Sequence, residues 1–295
     1  MAELRDMELL VALARFEHFG RAAEACGISQ PALSTRIQRL EHDLGAPIVR
    51  RGNRFAGFTP EGEIALSWAR RLTRNAEGMR QDMAAACGTL TGKLAIGSVP
   101  TALPFAAQLP ARLRERAPGL SLRLRSASSV RIRQGLEDLS LDAGITYASA
   151  EMPRGIVSRP LYDERYVVLA PPGLCDPGKD EITWSDAAAL PLCLLSEDMR
   201  NRRIVDSEFA RQGLAPTPIL QTNDFTAAIA QVAEGSAATI APEVLADVLP
   251  QAPGIKRQRL VAPVLSEPMV LVYLEQDPEP PALGVAIEEL LGLAR

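Results

Sequence analysis

The chain has 295 residues, 47% of them hydrophobic and 23% charged, which suits a folded protein with two or three cores. Its net charge of −4 excludes a protein coated in nucleic acid. No apolar run of about eighteen residues and no apolar N-terminal core point to membrane insertion or export, so the cytoplasm is the expected location.

Charge is unevenly spread. Residues 1–60 carry eight arginines and seven acids, a balance of +1, while residues 93–295 carry −5. Within the first segment Arg36, Arg39, Arg50, Arg51 and Arg54 face only Glu41 and Asp43, a local +3. A small basic patch on an acidic protein suits a site-specific nucleic-acid binder, because the patch holds phosphates while the remainder limits unspecific adhesion.

In chain order, residues 7–16 predict a helix with Asp6 as its cap and Met7, Leu10, Val11 and Ala14 as its apolar stripe. Residues 21–26 predict a second helix, and Gly27-Ile28 a turn. Ser29 caps a third helix that runs to Leu44, with Pro31 in its first turn and Leu33, Ile37, Leu40 and Leu44 on its buried face. Ile48-Val49, the Gly52-Asn53 turn and residues 55–58 predict a short basic β-ribbon. Thr59-Pro60 starts a long helix on which Ile64, Trp68, Leu72, Ala76, Met79 and Met83 form one narrow stripe, the pattern of a helix that pairs with another. Packing on its own domain is the alternative. Gly88 and Gly92 make a hinge.

Beyond Lys93 strands and helices alternate. Strands are expected at 94–97, 120–125, 141–146, 166–170, 192–195, 219–222, 238–241 and 269–274. Helices are expected at 101–115, from Ser129, and at 204–212, 225–234, 242–248 and 282–293. Such alternation implies largely parallel sheets with ligand sites at the carboxyl ends of strands.

Two helices, a glycine turn and a third helix followed by a basic ribbon make a winged helix-turn-helix, whose third helix enters the major groove. The candidate DNA-binding residues are Gln30, Pro31, Ser34, Thr35 and Arg36 on that helix, and Arg51 and Arg54 on the ribbon. Gln reads adenine bidentately, and Arg reads guanine or holds a phosphate.

Ala22-Ala23-Glu24, the run from Ser29 through Ser34, Ile37, Arg39-Leu40-Glu41, Leu44-Gly45, Arg51, Arg54, Thr59 and Gly62 resemble, at matching spacing, the N-terminal domain of LysR-type transcription regulators. Leu141 to Gly144 and residues 238–242 resemble that family's effector domain. The resemblance implies a winged helix-turn-helix over 1–59, a linker and dimerisation helix with hinge over 60–92, and a two-lobed α/β domain like periplasmic binding proteins over 93–295. Lobe I would span about 93–163 and 267–295, and lobe II about 164–266. Thr35 and Arg36 depart from the family's usual residues, with Arg36 favoured as a base reader. His18 and Gly20 replace a common Ser and weaken the second helix's cap.

The resemblance implies an operator in double-stranded DNA, a small anionic effector, self-association as a dimer and tetramer, and RNA polymerase as partner of an activator. The candidate effector residues are Ser98, Thr101, Ser128, Ser129, Thr146, Ser196, Arg202, Thr222 and Asn223, on loops that offer hydroxyls and helix N-termini to an anion. Arg200 and Arg203 belong to the same basic helix start. Simple N-caps are the alternative for these hydroxyls, and a solvated basic face for the arginines. No catalytic residue, metal site, membrane contact or cofactor is expected: both histidines, His18 and His42, lie in the N-terminal segment, and no nucleotide, hydrolase or metalloprotease motif occurs. The alternatives are a redox-responsive regulator working through an exposed thiolate, or a solute-binding or enzyme domain fused to a helix-turn-helix.

Overall fold

The computed structural model describes residues 2–50, 55–149, 153–176, 178–248 and 254–294. Three helices open the chain: α1 (Leu4–Phe16), α2 (Phe19–Ala25) and α3 (Gln30–Leu44). Helix α1 starts earlier than its apolar stripe suggests. Glu3 is the cap, and Asp6 answers it from the third helical position in a reciprocal capping box. His18 caps α2 by accepting from the Gly20 and Arg21 N–H groups at Nδ1, so the missing Ser is replaced rather than lost. Ser29 caps α3 as its sequence predicts. Leu9, Leu10, Leu13, Leu33, Ile37 and Leu40 close one core, whereas Leu44 at the end of α3 is exposed.

Among the described residues one bridge joins Val49 to Phe58, and the Arg50 N–H donates to the Gly57 carbonyl. The Glu41 carboxylate accepts from the Ile48 and Val49 N–H groups at 2.8 and 3.1 Å, fixing where the ribbon leaves α3. Helix α4 (Pro60–Ala86) follows, capped by Thr59, and its first turn lies hard against the ribbon. A β-carbon on Gly62 would stand 2.0 Å from the Ile48 carbonyl oxygen, so only glycine fits there.

The remaining elements are β1 (Thr91–Ser98), α5 (Leu103–Ala106), α6 (Leu109–Arg116), β2 (Gly119–Ser126), α7 (Ser129–Glu137), β3 (Ala143–Tyr147) and β4 (Ile156–Ala170). Then come β5 (Glu181–Thr183), α8 (Trp184–Ala188), β6 (Cys193–Leu195), α9 (Arg200–Arg211), β7 (Leu220–Thr222) and α10 (Phe225–Ala233). The chain closes with β8 (Thr239–Pro242), α11 (Glu243–Val248), β9 (Lys256–Val261), β10 (Ser266–Leu274) and α12 (Pro281–Leu293). The helix expected over 101–115 is instead a 3-10 turn followed by α5 and α6, because Pro104 and Pro110 each restart the backbone at a helix beginning.

The sheet is mixed, not largely parallel. Its order is β2-β1-β3-β10-β4-β9-β5, with β8 also on β4, while β6 and β7 form a separate parallel pair. Strand β10 runs antiparallel to both neighbours, as do β8 and β9 against β4. Strand β4 belongs to both lobes: residues 156–165 pair with β10, and Tyr166 to Ala170 pair with β8 and β9. One core gathers β1, β3, β10, α6 and α12, and a second gathers Tyr166, Trp184, Leu194, Phe209 and Ile240 around the far end of β4.

Because Gly62 has no room for a side chain, Gly62→Ala should lower the stability of the N-terminal domain by ~1–3 kcal/mol, the usual cost of overpacking. Urea denaturation followed by circular dichroism checks this; an unchanged midpoint would refute the contact.

Candidate nucleic-acid interface and ligand cleft

The N-terminal turn of α3 stands free. Gln30, Pro31, Ala32 and Thr35 are exposed, and Ser34 is half-buried. The Thr35 hydroxyl bonds back to the Pro31 carbonyl at 3.0 Å, which leaves its methyl outward. Arg36, expected as a base reader, is held the other way. Its guanidinium donates to the buried Asp6 carboxylate at 2.8 Å and lies 3.5 Å from Glu3, tying α3 to the cap of α1. Arg39 and Arg50 are exposed on the same domain. Arg51 and Arg54 lie outside the described residues.

Along α4, Ile64 (63% exposed), Trp68 (57%), Leu72, Met79 and Met83 form an uncovered apolar stripe. Elsewhere α4 is fastened to the larger domain. Arg74 donates to the Asp142 carboxylate and to the Leu141 carbonyl, and Asp142 in turn accepts from the Ala95 N–H. The buried Gln81 accepts from the Ala282 N–H at 3.3 Å.

Between the lobes lies a cavity of about 350 Å³. One wall carries Thr101, Ser128, Ser129 and Tyr147, and the other Asp198, Arg200, Asn201 and Arg203, two cations against one acid. A smaller cavity of about 180 Å³ adjoins it past Tyr147 and Arg200 and is lined by Ser129, Thr146 and Arg133. Arg200 stands between the two, 4.7 Å from the Tyr147 ring centroid, with one N–H donated to the Ala148 carbonyl at 3.3 Å. Ser128, rather than Ser129, caps α7, which leaves Ser129 to accept from Thr146 at 2.8 Å. Helix α9 has no side-chain cap, so its first N–H groups are free for a ligand.

Other expected effector residues are elsewhere. Ser98 is fully buried and donates to the Val99 carbonyl. Arg202 points into lobe II, where it donates to the Leu195 carbonyl and to Asp206, both at 2.7 Å. Ser196, Thr222 and Asn223 line neither cavity. The Ser196 N–H bonds the Thr222 carbonyl, and the Thr222 hydroxyl accepts from Asp224, so these loops satisfy each other.

Behind the cavity sits a polar cluster that residue patterns did not reveal. Glu164 is 1% exposed, and one of its oxygens accepts from Tyr147 at 3.1 Å and Tyr166 at 2.9 Å. Thr101 contacts the Tyr147 hydroxyl at 3.0 Å, and Asn201 donates to the Tyr166 hydroxyl at 3.4 Å. Burial pushes the Glu164 carboxyl up to about 7, against the lowering effect of Tyr166, of the Thr101 hydroxyl behind Tyr147, and of Tyr147 itself. The hydroxyls of Tyr147, Tyr162 and Tyr166 are pushed above their ordinary range, chiefly by burial and then by the Glu164 charge. Among the described residues no group of His, Cys, Asp and Glu is placed to hold a metal ion, and no helix is long and apolar enough to cross a membrane.

Two family profiles match the chain: a bacterial regulatory helix-turn-helix of the lysR family over residues 4–63, and a LysR substrate binding domain over residues 88–295. A probable hydrogen peroxide-inducible genes activator of Mycobacterium avium is 34% identical over 197 residues, covering 66% of this chain and 62% of that relative. The DNA-binding transcriptional dual regulator OxyR of Escherichia coli is 33% identical over 162 residues, covering 55% of this chain and 53% of its own. The chain thus spans less than two thirds of either relative. Among solved structures, a full-length OxyR variant from Pseudomonas aeruginosa superposes with a TM-score of 0.77 at 28% identity over 100% of both chains. CbnR complexed with its target DNA shares the fold, with a TM-score of 0.68 at 24% identity over 99% of this chain and 100% of that one.

The placement of Arg202 predicts a structural role. Arg202→Ala removes the donor from the buried Leu195 carbonyl, so it should destabilise lobe II by ~1–3 kcal/mol. Chemical denaturation reads this loss; full stability in the variant would return Arg202 to the list of ligand contacts.

Proposed function

The chain belongs to the LysR family of bacterial helix-turn-helix regulators, and on that basis we propose that it is a transcription regulator, not an enzyme, that reads an operator with α3 and answers to a small anionic effector held between its lobes. The observation that carries the first half is the free N-terminal turn of α3, where Gln30, Pro31, Ala32 and Thr35 are presented together on a packed three-helix support. Gln30 is the reader of base edges, with Pro31 and the Thr35 methyl against thymine methyls. Arg39 and Arg50 hold phosphates, and Arg36 keeps the helix in place.

The stripe on α4 supports pairing of two copies through their linker helices, since single exposed apolar residues are common but a contiguous helical row is not. A two-fold dimer then meets two half-sites, and contacts between effector domains extend it to a tetramer. RNA polymerase is the partner if the protein activates.

For the effector, the uncapped start of α9, Ser128 and Ser129 at the start of α7, and Arg200 and Arg203 all converge on one cavity. Positive helix ends and guanidinium groups favour an organic anion. The relatives' names bring in a second reading, response to peroxide through thiols. That chemistry needs an accessible thiolate of lowered pKa with a partner. Here burial raises both Cys175 and Cys193, Cys193 lies in a core, and all four cysteines are free. These features favour the effector reading.

Three outcomes follow. Gln30→Ala should cost ~1–3 kcal/mol at the cognate operator and little on unrelated DNA. Arg36→Ala should weaken both together through loosening of α3, and fluorescence anisotropy on operator and scrambled duplexes separates the two; equal losses in the Gln30 variant overturn the assignment. Trp68→Glu should break the linker pair and abolish operator binding, with sedimentation velocity as the check. A monomeric wild type at micromolar concentration would refute the pairing.

A further inference from the structure

The two walls of the cavity are joined behind it by one hydrogen-bonded chain, and the direction of its protons follows from its centre. An ionised Glu164 has no proton to give, so the hydroxyls of Tyr147 and Tyr166 both donate to its one engaged oxygen. Each tyrosine has then used its single proton and can only accept from its other neighbour. Tyr147 therefore accepts from Thr101, and Tyr166 accepts from Asn201. Thr101 lines the cavity, yet its hydroxyl proton points away from it. What Thr101 offers a ligand in this state is a lone pair.

Protonation reverses one arm. A neutral Glu164 carries its own proton and gives it to the Tyr147 oxygen; Tyr147 then donates to Thr101, and the Thr101 proton swings into the cavity. One proton is taken from solvent, and every other hydroxyl keeps its own and only rotates. The second carboxyl oxygen of Glu164 is buried with no partner among the described residues, so nothing else holds the ionised form in place.

We propose that Glu164 is a proton-controlled polarity switch for the ligand cleft: ionised, it draws the Thr101 proton inward and makes that wall an acceptor, and protonated, it turns the wall into the donor that an anion requires. The proposal rests on the cavity being the effector site and specifies the protonation state in which that site takes an anion.

The groups around Glu164 allow it to act alone in the neutral range. Tyr147 faces it from β3, Tyr162 and Tyr166 from β4 itself, Asn201 from α9, and Glu267 from the paired position on β10. Arg200 lies on the outer face of the Tyr147 ring. The tyrosines are raised and keep their protons, and the Glu267 carboxylate further disfavours the ionised form. Burial brings Glu164 to about 7. The chain's two histidines, His18 and His42, are in the N-terminal domain. Anion binding then takes up one proton: affinity is level below the Glu164 midpoint and falls about tenfold per pH unit above it.

The test uses the full-length protein with inorganic sulfate, whose charge is constant over this range, titrated calorimetrically from pH 6 to 8.5. The wild type should show the tenfold-per-unit loss above neutrality. Glu164→Gln should bind with no such slope, and so should Tyr147→Phe, which cuts the chain but leaves the carboxyl in place. A flat wild-type profile, or an undiminished slope in both variants, overturns the switch. A second measurement needs no ligand: the infrared carboxyl band of the wild type should titrate near neutrality, and Thr101→Val, which removes the outermost donor, should move that midpoint upward. If sulfate fails to bind at any pH, the anion reading of the cleft fails, and the infrared titration still decides the switch. An unmoved midpoint in Thr101→Val sinks it.

Discussion

The constraint on which the rest depends is the continuity of β4. One strand supplies the edge of the β10 ladder over residues 156–165 and then, without a break, the partner of β8 and β9. Both walls of the cleft are therefore referred to a single backbone. Thr101 and Tyr147 reach it from one side, Asn201 and α9 from the other, and Glu164 stands where the pairing passes from lobe to lobe. A buried carboxyl with one unpartnered oxygen is costly at such a place. The cost is offset only as long as two tyrosines keep donating, which makes the polar chain sensitive to anything that draws its outer ends.

The same economy of contacts governs the attachment of α4. Its N-terminal part is locked into the DNA-reading domain by the Gly62 approach to Ile48 and by Leu66 and Ala69 in that core. Its later turns are held to lobe I by Arg74 on Asp142 and Gln81 on Ala282. Asp142 also accepts from Ala95 on β1, so the ion pair is anchored to the strand that leads into the Thr101 turn. The apolar stripe faces away from these contacts.

Much of this was legible in the residues. Ser29, Pro31 and Gly45 mark α3, Thr59 and Pro60 mark α4, and the family motif follows from their spacing with Gly62. Strand direction is not legible: hydrophobic period says nothing about orientation, so it carries neither the antiparallel return of β10 nor the long first half of β4. Arg200, Arg202 and Arg203 stand together at the start of α9, and sequence proximity alone does not separate them. Helical spacing carries the missing signal, since Arg202 lies near Val205 and Phe209 on the buried face while positions 200 and 203 share the other. The ion pair of Arg36 is hidden from spacing for a different reason. Its partner Asp6 is thirty residues away and doubles as a capping residue, a pairing visible only once α1 and α3 pack.

Glu164 was invisible for a deeper reason. In sequence it is one acid among Asp163, Glu164 and Arg165, a run that reads as solvated turn or edge. Period-two alternation puts Glu164 on the face opposite its two charged neighbours, and the apolar run that begins at Tyr166 carries that face into the interior. The three tyrosines near it come from alternation on β4 and from the end of β3; Tyr147 and Tyr166 donate to it, while the buried Tyr162 hydroxyl has no partner among the described residues. Three phenols around one carboxyl give a site that holds a negative charge weakly. They also have protons that rotate without leaving. An arginine at the same place would have fixed the carboxylate for good; tyrosines leave its charge negotiable, and a cleft whose wall changes from acceptor to donor follows from that choice.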